Sequence, residues 1–300
     1  MKFIILFYLL ILNLSCAQDN KLNTIEMNQK IQKEVSGYKN FPNYSIQLDK
    51  GGCRIQLIGN NIPLYTAFEK GGFSTLLPFN ANILQSGEQT VTIKIYPDEG
   101  KTTFDDYTNA SIKVVYFEDD KNKNSPRKII QEYKIPKEVI DKKLNYFEAS
   151  VTFKANVPFN FSKQFESAKD LKKRKNIETE VVAAYKKIHS WLAKKDVKSL
   201  ADFRKETDKK ACLAYYLDTE QEIEERFDYT FLFENNSKAD PLPTYTMTFY
   251  ADGKLVRLER IDNHDEVLTV TGKTEDGYEV MSDLSVLLYM PEGSKELKQF

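Results

Sequence analysis

Residues 90–96 have the sequence TVTIKIY, in which every second side chain is apolar: Val91, Ile93 and Ile95. Because successive side chains of a strand point to opposite faces of a sheet, this alternation predicts a β-strand with one buried face. Further segments with strand-like spacing are 54–57, 111–117, 128–133 and 146–153. The region from residue 44 to residue 161 is therefore predicted to be built from β-strands.

Turn-forming sequences separate these strands, at 51–52, 71–72, 86–87 and 97–100. Short strands divided by such turns, with no helical run between them, are typical of an antiparallel β-sandwich. We predict a sandwich domain over residues 41–162. Within it, the segment LQSGEQTVTIKI at 84–95 resembles the loop, glycine and alternating strand of Ig-like and jelly-roll domains, and this resemblance concerns the fold alone.

The spacing of apolar residues changes after Ser162. Residues 163–176 contain the basic run KKRK, which we interpret as part of a solvated linker. From Ile177 to Trp191 the apolar side chains fall three or four residues apart. This spacing predicts one buried face of an amphipathic helix and marks the start of a second domain.

Two further helices are predicted after the first. Asp196 is placed to cap the second helix. Thr219 and Glu222 have the spacing of a capping box, which predicts the start of the third. The apolar segment 211–217 between the two helices is predicted to be a short strand.

The C-terminal segments return to strand spacing around two Asp-Gly pairs, at 252–253 and 276–277. Asp-Gly is favoured in tight hairpin turns. The strands predicted around these turns are 244–250, 255–260, 267–271, 278–281 and 285–289. Helices followed by an antiparallel meander indicate an α+β domain, which we assign to residues 177–300.

Three features of this second domain carry a resemblance to a known family. They are the opening helix at 180–194, the sequence KDVKSL at 195–200, and the order of helices before a meander. In these features residues 177–290 resemble the NTF2-like superfamily, whose members wrap a curved sheet around helices. The resemblance implies a conical pocket inside the C-terminal domain.

The first 17 residues have the features of a signal peptide. Lys2 precedes an apolar run at 3–12, which is too short to span a bilayer as a helix. Small residues at Ser15 and Ala17 suit cleavage after Ala17, and lipidation of Cys16 is the alternative. Either route exports the chain, so a periplasmic, cell-surface or extracellular location is expected, with a lipid anchor possible and no membrane span.

Residues 18–40 are predicted to form a polar N-terminal arm, which contains a short helix or is loosely attached. Beyond the leader only Cys53 and Cys212 remain. An oxidising compartment permits a disulfide between them, and two separate buried thiols are the other interpretation.

Composition and motifs exclude several classes of function. The formal net charge is −1 and charged residues make up 29%, so the basic surface of a nucleic-acid-binding protein is not expected. There is no nucleophile elbow, phosphate-binding loop or zinc-ligand spacing, so we predict no catalytic residue, no cofactor and no metal site. His189 is predicted to lie on the first helix at the edge of its apolar face, and His264 is predicted to be a solvated loop residue.

Aromatic side chains are the remaining candidates for recognition. The predicted ligand-binding residues are Tyr215, Tyr216, Tyr229, Tyr245 and Phe249. In an NTF2-like fold some of them would line the cone, and plain core packing is the alternative. Tyr96, on the polar face of its strand, is a candidate for a sugar- or protein-binding surface.

These observations favour an exported, non-enzymatic binding protein that recognises a protein or a glycan, for instance an immunity or inhibitor protein. The alternative is a small-molecule-binding protein or an enzyme that uses a pocket in the C-terminal NTF2-like domain. A deep cavity that holds a titratable side chain in a perturbed environment would favour the alternative.

Overall fold

The computed structural model of the protein describes residues 26–300. The predicted signal peptide, the lipidation alternative at Cys16 and the first part of the polar arm lie outside the described residues. Within residues 26–300, none of the helices has the length and hydrophobicity that a bilayer-spanning segment requires.

The N-terminal half consists mainly of eight antiparallel strands. They are β1 (Asn43–Gly51), β2 (Cys53–Gly59), β3 (Ile62–Ala67), β4 (Phe73–Pro78), β5 (Gly87–Pro97), β6 (Asn109–Phe117), β7 (Arg127–Lys134) and β8 (Phe147–Ala155). One sheet has the order β4-β1-β6-β7 and the other has the order β3-β2-β5-β8. All the segments with strand-like spacing fall on these strands, so the predicted β character of this half is confirmed.

Both sheets contribute their apolar faces to one hydrophobic core, which we call the first core. Val91, Ile93 and Ile95 of β5 are fully buried in it, as their alternation predicts. Ile46 and Leu48 of β1, in the other sheet, belong to the same core and are also fully buried. The apolar side chains at every second position therefore determine which face of each strand points into the core.

Residues 26–36 form helix α1, which packs against the first core. Ile31 and Val35 lie four residues apart, on one face of the helix, and both are fully buried. This part of the predicted arm is therefore helical and attached to the sheets.

A short helix, α2 (Lys137–Asp141), lies between β7 and β8. The helices of the C-terminal half are α3 (Ser162–Glu166), α4 (Ile177–Lys194), α5 (Val197–Ala214) and α6 (Glu220–Phe227). The strands are β9 (Lys238–Ala239), β10 (Tyr245–Tyr250), β11 (Leu255–Arg260), β12 (Thr269–Lys273), β13 (Glu279–Asp283), β14 (Leu288–Tyr289) and β15 (Lys298–Gln299). They form antiparallel sheets of order β10-β11-β14-β15 and β13-β12-β9.

Local sequence signals explain several boundaries in this half. The Asp196 side chain caps α5 by accepting from the Ser199 backbone N–H, and Thr219 with Glu222 forms the predicted capping box of α6. Strands β10 and β11, and strands β12 and β13, pair on either side of the two Asp-Gly sequences. The two predicted hairpins and the order of helices before antiparallel strands are confirmed.

Helix α4 and the C-terminal strands form a second core. Val181, Tyr185 and Ile188 of α4 are buried against Leu258 of β11 and its neighbours. The Tyr185 hydroxyl donates to the Val286 carbonyl at 2.6 Å and accepts from the Leu258 N–H at 3.1 Å. The buried hydroxyl of Tyr185 is thus hydrogen-bonded both as a donor and as an acceptor.

The prediction of a strand at 211–217 was wrong. Residues up to Ala214 continue α5, and Cys212, Leu213 and Ala214 are buried in the first core. A short apolar run is ambiguous between a buried strand and a fully buried stretch of helix, and here the helix continues without a break from Val197.

Helix α5 therefore connects the two cores. Leu200 near its start is buried in the second core, and Leu213 near its end is buried in the first. The Asn80 side-chain amide donates to the Ala214 carbonyl at 2.9 Å, and the Tyr216 hydroxyl donates to the Pro42 carbonyl at 2.9 Å. These buried bonds attach the end of α5 to the N-terminal sheets.

Candidate functional site

A groove lies where α5 meets α3 and the C-terminal segment of the chain. Its cavity measures about 520 Å³ and is lined by Lys163, Gln164 and Phe165, by Glu206, Thr207, Lys209, Lys210 and Leu213, and by Tyr289, Gln299 and Phe300, among others. We call this cavity the Lys210 groove. A second cavity of about 660 Å³ shares Lys210 and Phe300 with it and extends toward Arg204 and Arg226.

Helical spacing places Lys210 on the inward face of α5. Lys210 follows Phe203 by seven residues and precedes Leu213 by three, so the three side chains share one face. Phe203 packs against the second core and Leu213 is buried in the first. Lys210 therefore occupies, between the two cores, a position that amphipathic spacing would assign to an apolar side chain.

The ammonium group of Lys210 contacts an aromatic ring and forms no ion pair within residues 26–300. Its Nζ lies 3.8 Å from the centroid of the Phe300 ring. Burial lowers the pKa of Lys210 from 10.5 to about 8. Lys210 is thus a cation next to an open cavity, with no carboxylate of residues 26–300 at ion-pair distance, while Glu206 lies one helical turn before it and lines the same cavity.

The Phe300 ring is held in place by contacts from three sides. Its centroid lies 5.3 Å from that of Phe165 and 5.5 Å from that of Tyr289. The Thr207 hydroxyl donates to the Phe300 carbonyl at 2.9 Å, and the Phe300 N–H donates to the Leu287 carbonyl at 2.8 Å. The groove therefore has a preorganised aromatic wall beside Lys210.

The charged side chains around the groove are three lysines and two glutamates. Lys163 and Lys209 line the same cavity as Lys210, whereas its carboxylates are Glu34 and Glu206. Such a lining can hold an anionic group near the ammonium groups while the aromatic wall receives an apolar body. When Lys210 loses its proton, its amine also becomes a nucleophile.

A buried polar network adjoins the second cavity. The Arg204 Nε donates to the Tyr229 hydroxyl, which donates to Asp208 Oδ2, both at 2.5 Å. The Arg226 Nη2 lies 3.2 Å from Asp208 Oδ1. Burial raises the pKa of Asp208, although the two arginines and Tyr229 act in the opposite direction. The cationic groups of Arg204 and Arg226 are thus already engaged, unlike that of Lys210.

The structure separates the five aromatic residues predicted to bind ligand. Tyr215 lines the second cavity and Tyr216 is buried in the first core. Tyr229 belongs to the Arg204 network, while Tyr245 and Phe249 pack against the second core. Only Tyr215 of the five lines either of the cavities that meet at Lys210.

The Lys210 position was missed from sequence because α5 was predicted to end before residue 211. With that boundary Lys210 stands at a helix end, where lysine is common and solvated. Once the helix continues to Ala214, the interval of seven residues from Phe203 places a lysine on an apolar face, and this is the signal that could have identified it.

His189 and His264 both have defined partners. The His189 Nε2 lies 2.7 Å from the Asp240 carbonyl oxygen. His264 is half-buried, and its Nδ1 lies 3.1 Å from Glu259 Oε2. The sequence predicted a solvated loop residue at position 264. In the structure, His264 is half-buried and packs against its neighbours.

His264 belongs to a buried charged group that we call the Arg257 cluster, formed by Arg257, Glu259, Glu266, Tyr250 and His264. The Arg257 Nε donates to Glu259 Oε1 at 2.7 Å and its Nη1 to Glu266 Oε1 at 3.1 Å. Arg257, Glu259 and Glu266 are 6%, 0% and 8% exposed. One guanidinium thus stabilises two carboxylates that are both out of contact with water.

The two carboxyl groups of the cluster have opposite pKa shifts. Burial alone would raise the pKa of Glu259, but hydrogen bonds from His264, Tyr250 and Arg257, together with the Arg257 charge, lower it to about 2. Burial raises the pKa of Glu266, and Arg257 offsets this only in part. Glu259 is therefore the carboxylate that depends most on its partners.

An aromatic surface adjoins this cluster, and we call it the Tyr96 shelf, formed by Phe68, Tyr96 and Tyr146 with His264. The Tyr96 ring centroid lies 5.5 Å from Phe68, 5.2 Å from Tyr146 and 6.4 Å from His264. Tyr146 is 39% exposed. The shelf combines residues of the N-terminal sheets with the loop that follows β11.

Among residues 26–300, no three histidine, cysteine, aspartate or glutamate side chains are grouped closely enough to hold a metal ion. Cys53 and Cys212 are both buried and unpaired. Burial raises the pKa of each thiol, to about 11 for Cys53 and to about 12 for Cys212, so neither is an activated nucleophile.

Searches against protein-family models, curated proteins and solved structures give no match for this chain. The NTF2-like and Ig-like relationships consequently stay predictions from the sequence. The Lys210 groove, the Arg257 cluster and the Tyr96 shelf are the features on which a function can be based.

Proposed function

We propose that the protein is a non-enzymatic binding protein whose Lys210 groove holds a small organic anion with an apolar or aromatic body. The observation that carries this proposal is the Lys210 ammonium group, which lies over the Phe300 ring without a carboxylate partner in the described chain. A ligand carboxylate would supply the missing counter-charge, and its body would pack against the aromatic wall.

The dimensions and lining of the groove support a ligand of this type. A volume of about 520 Å³ falls within the usual range of about 300–1,000 Å³ for small-molecule sites. Gln164, Thr207 and Gln299 add polar groups at the walls, and Leu213 adds apolar surface.

Export to the cell envelope or medium is part of the same proposal and rests on the leader sequence at residues 1–17. The division into a sandwich domain and an α+β domain is part of it as well. In that arrangement the ligand lies at the junction of the two domains, a frequent location for binding sites.

The test uses 4-methylbenzoate and octanoate as probes, titrated against the protein by calorimetry at pH 7. We expect saturable binding that Lys210→Met weakens by about tenfold, because the ammonium–carboxylate contact is lost in a partly desolvated site. The matched control is Lys154→Met, which changes an exposed lysine of β8 and should leave binding unaltered.

Absence of binding for both probes, or equal affinity of Lys210→Met and the unsubstituted protein, would contradict the proposal. Lys210→Arg adds a second control, since it keeps the positive charge at this position. We expect it to retain more of the affinity than Lys210→Met.

The Tyr96 shelf favours a second candidate function, the binding of a glycan to the outer face of the sheet. Its aromatic rings lie beside the charged Arg54, whose guanidinium carbon is 5.2 Å from the Phe68 ring centroid. Planar aromatic faces flanked by hydrogen-bonding groups suit the apolar and polar faces of a sugar ring.

Cellohexaose and chitohexaose are the probes for this second candidate. We expect Tyr146→Ala to weaken binding of at least one of them by about three- to tenfold, the effect of losing one ring contact. Tyr278→Ala is the control, because Tyr278 is 73% exposed in the turn between β12 and β13. If neither sugar binds, or if the two substitutions act equally, the shelf is not a glycan site.

A further inference from the structure

The Lys210 groove continues into the second cavity, and four residues line both: Thr207, Lys210, Gln299 and Phe300. We propose that the second cavity is an anion subsite, which holds a second anionic group of the ligand bound in the Lys210 groove. The inference rests on the proposed function and deepens it. It assigns the ligand to organic anions that carry a charged group at each end of an apolar or aromatic body.

The charged side chains that line the second cavity are all cationic. Among the described residues they are Arg204, Lys210 and Arg226, with neither an aspartate nor a glutamate in the lining. The Lys210 groove, in contrast, has Glu34 and Glu206 in its lining. A cleft lined by charges of one sign attracts ligand groups of the opposite sign. The second cavity therefore favours an anionic group.

The two arginines are engaged by Asp208, but their charge is not neutralised. Asp208 is fully buried, and its Oδ1 lies 3.8 Å from Arg204 Nη2 and 3.2 Å from Arg226 Nη2. Neither arginine has another carboxylate at ion-pair distance within residues 26–300, so one carboxylate serves two guanidinium groups. A carboxylate or phosphate of the ligand would supply the second negative charge.

Arg226 is the more accessible of the two arginines. Its side chain is 39% exposed, whereas that of Arg204 is 11% exposed. A guanidinium carries several N–H donors, and the ion pair with Asp208 engages Nη2, so that donors remain for a ligand. The planar arrangement of these donors suits two oxygens of a carboxylate or a phosphate.

Asn82 provides an independent observation in the same cavity, which it lines. Its side-chain Nδ2 is buried and has no hydrogen-bond acceptor within residues 26–300. Buried donors in folded proteins are nearly always paired, so an unpaired one requires an explanation. An oxygen of a bound anionic group would provide the missing acceptor.

The experiment titrates the full chain by calorimetry at pH 7 with three probes that share one ring: 4-methylbenzoate, 4-(carboxymethyl)benzoate and 4-carboxyphenyl phosphate. The first has one anionic group, and the other two have a second one, a carboxylate or a phosphate. We expect at least one two-anion probe to bind more tightly than 4-methylbenzoate by about tenfold or more, because charge-assisted hydrogen bonds form in the second cavity. The tighter of the two identifies the second anionic group.

Arg226→Gln locates this second group. It should weaken binding of the two-anion probe by about tenfold and binding of 4-methylbenzoate by less than about twofold. The matched control is Arg260→Gln, which should leave both affinities unaltered because Arg260 lines neither cavity.

Leu76→Glu tests the same point if Arg226→Gln does not fold. Leu76 lines the second cavity and is 46% exposed, so the fold tolerates a polar side chain there. The added carboxylate should repel the second anionic group and weaken binding of the two-anion probe more than that of 4-methylbenzoate. Leu76→Gln is the uncharged control and should not produce this difference.

The three probes separate failure of this inference from failure of the proposed function. If 4-methylbenzoate binds through Lys210 and the two-anion probes bind no more tightly, the proposed function stands and the anion subsite is wrong. Equal weakening of one-anion and two-anion probes by Arg226→Gln would also overturn the subsite. If a two-anion probe binds through Arg226 while 4-methylbenzoate and octanoate do not bind, the subsite stands and the proposed function fails. If no probe binds, both fail.

Discussion

Replacement of Arg257 by methionine is expected to lower the free energy of unfolding by about 3–5 kcal/mol. Methionine approximates the length of the side chain but removes the only cation that lies between Glu259 and Glu266 in the described chain. Both carboxyl groups are buried and would remain in place without a counter-charge. Chemical denaturation at pH 7, followed by circular dichroism, measures the change.

The matched control for Arg257→Met is Arg260→Met, three residues further along the chain. Arg260 pairs with the exposed Asp262, with Nε and Oδ1 3.5 Å apart, so its loss should cost less than about 1 kcal/mol. Similar losses for the two variants would contradict the role given to the Arg257 cluster.

A triple variant keeps this prediction testable if Arg257→Met alone does not fold. Adding Glu259→Gln and Glu266→Gln to Arg257→Met removes the uncompensated charges and should recover at least half of the loss. If the triple variant is as unstable as the single one, lost packing and not lost charge balance explains the effect.

The same cluster determines part of the acid sensitivity. The pKa of Glu259 in the folded protein, about 2, lies below its ordinary value of 4.5. Glu259 therefore contributes stability above pH 4.5, and this contribution is lost as the pH falls toward 2. Glu266 has the opposite sign, since its raised pKa favours the folded state at low pH and this advantage disappears as the pH rises.

The second large effect is a gain in stability. Lys210→Met is expected to raise the free energy of unfolding by about 2 kcal/mol at pH 7. A full shift of the Lys210 pKa from 10.5 to about 8 corresponds to about 3 kcal/mol of lost stability at pH 7. The partial exposure of the side chain reduces this cost. Methionine fills similar space and adds apolar contact with Phe300.

The pH dependence identifies the cause of this gain. Between about pH 8 and pH 10.5 the unfolded chain binds a proton at Lys210 that the folded protein does not, so stability rises with pH in this window. Lys210→Met should lack this rise, while Lys154→Met should retain it and change stability by less than about 0.5 kcal/mol. Lower stability of Lys210→Met at pH 7 would show that Lys210 has a stabilising partner.

The two predictions for Lys210→Met are weaker ligand binding and a higher free energy of unfolding. If both hold, the wild-type lysine lowers stability while it contributes to binding. A side chain with this combination is one whose presence is better explained by function than by folding. Arg257 differs in this respect, because its removal is expected to lower stability and its charge is balanced by the carboxylates of Glu259 and Glu266.

Short-range patterns made most of the strands predictable. The alternation at Val91, Ile93 and Ile95 and the Asp-Gly pairs at 252–253 and 276–277 depend on local geometry, which a sequence displays directly. The end of α5 was not predictable in the same way. Residues 211–217 are apolar on nearly all sides because the helix enters the first core, and this environment is created by strands that end at Ala155 or earlier.

The functional positions were harder to predict than the fold. The aromatic residues Tyr216 and Tyr229 were candidates because of their type, but their hydroxyl groups serve internal hydrogen bonds. Lys210, Arg257 and Glu266 have ordinary residue types for a soluble protein. Their significance depends on burial and on which charges lie near them, and neither property is visible until the chain is folded.

The path of α5 has a consequence for the order in which the protein matures. Asn80 and Ala214, joined by a buried hydrogen bond, are 134 positions apart. All eight strands of the first two sheets leave the ribosome before the helix that completes their interior. The part of the first core that the end of α5 covers therefore stays open until that helix is made, and contacts of such long sequence separation form slowly. A nascent chain of this design cannot complete its first core until synthesis has passed Ala214.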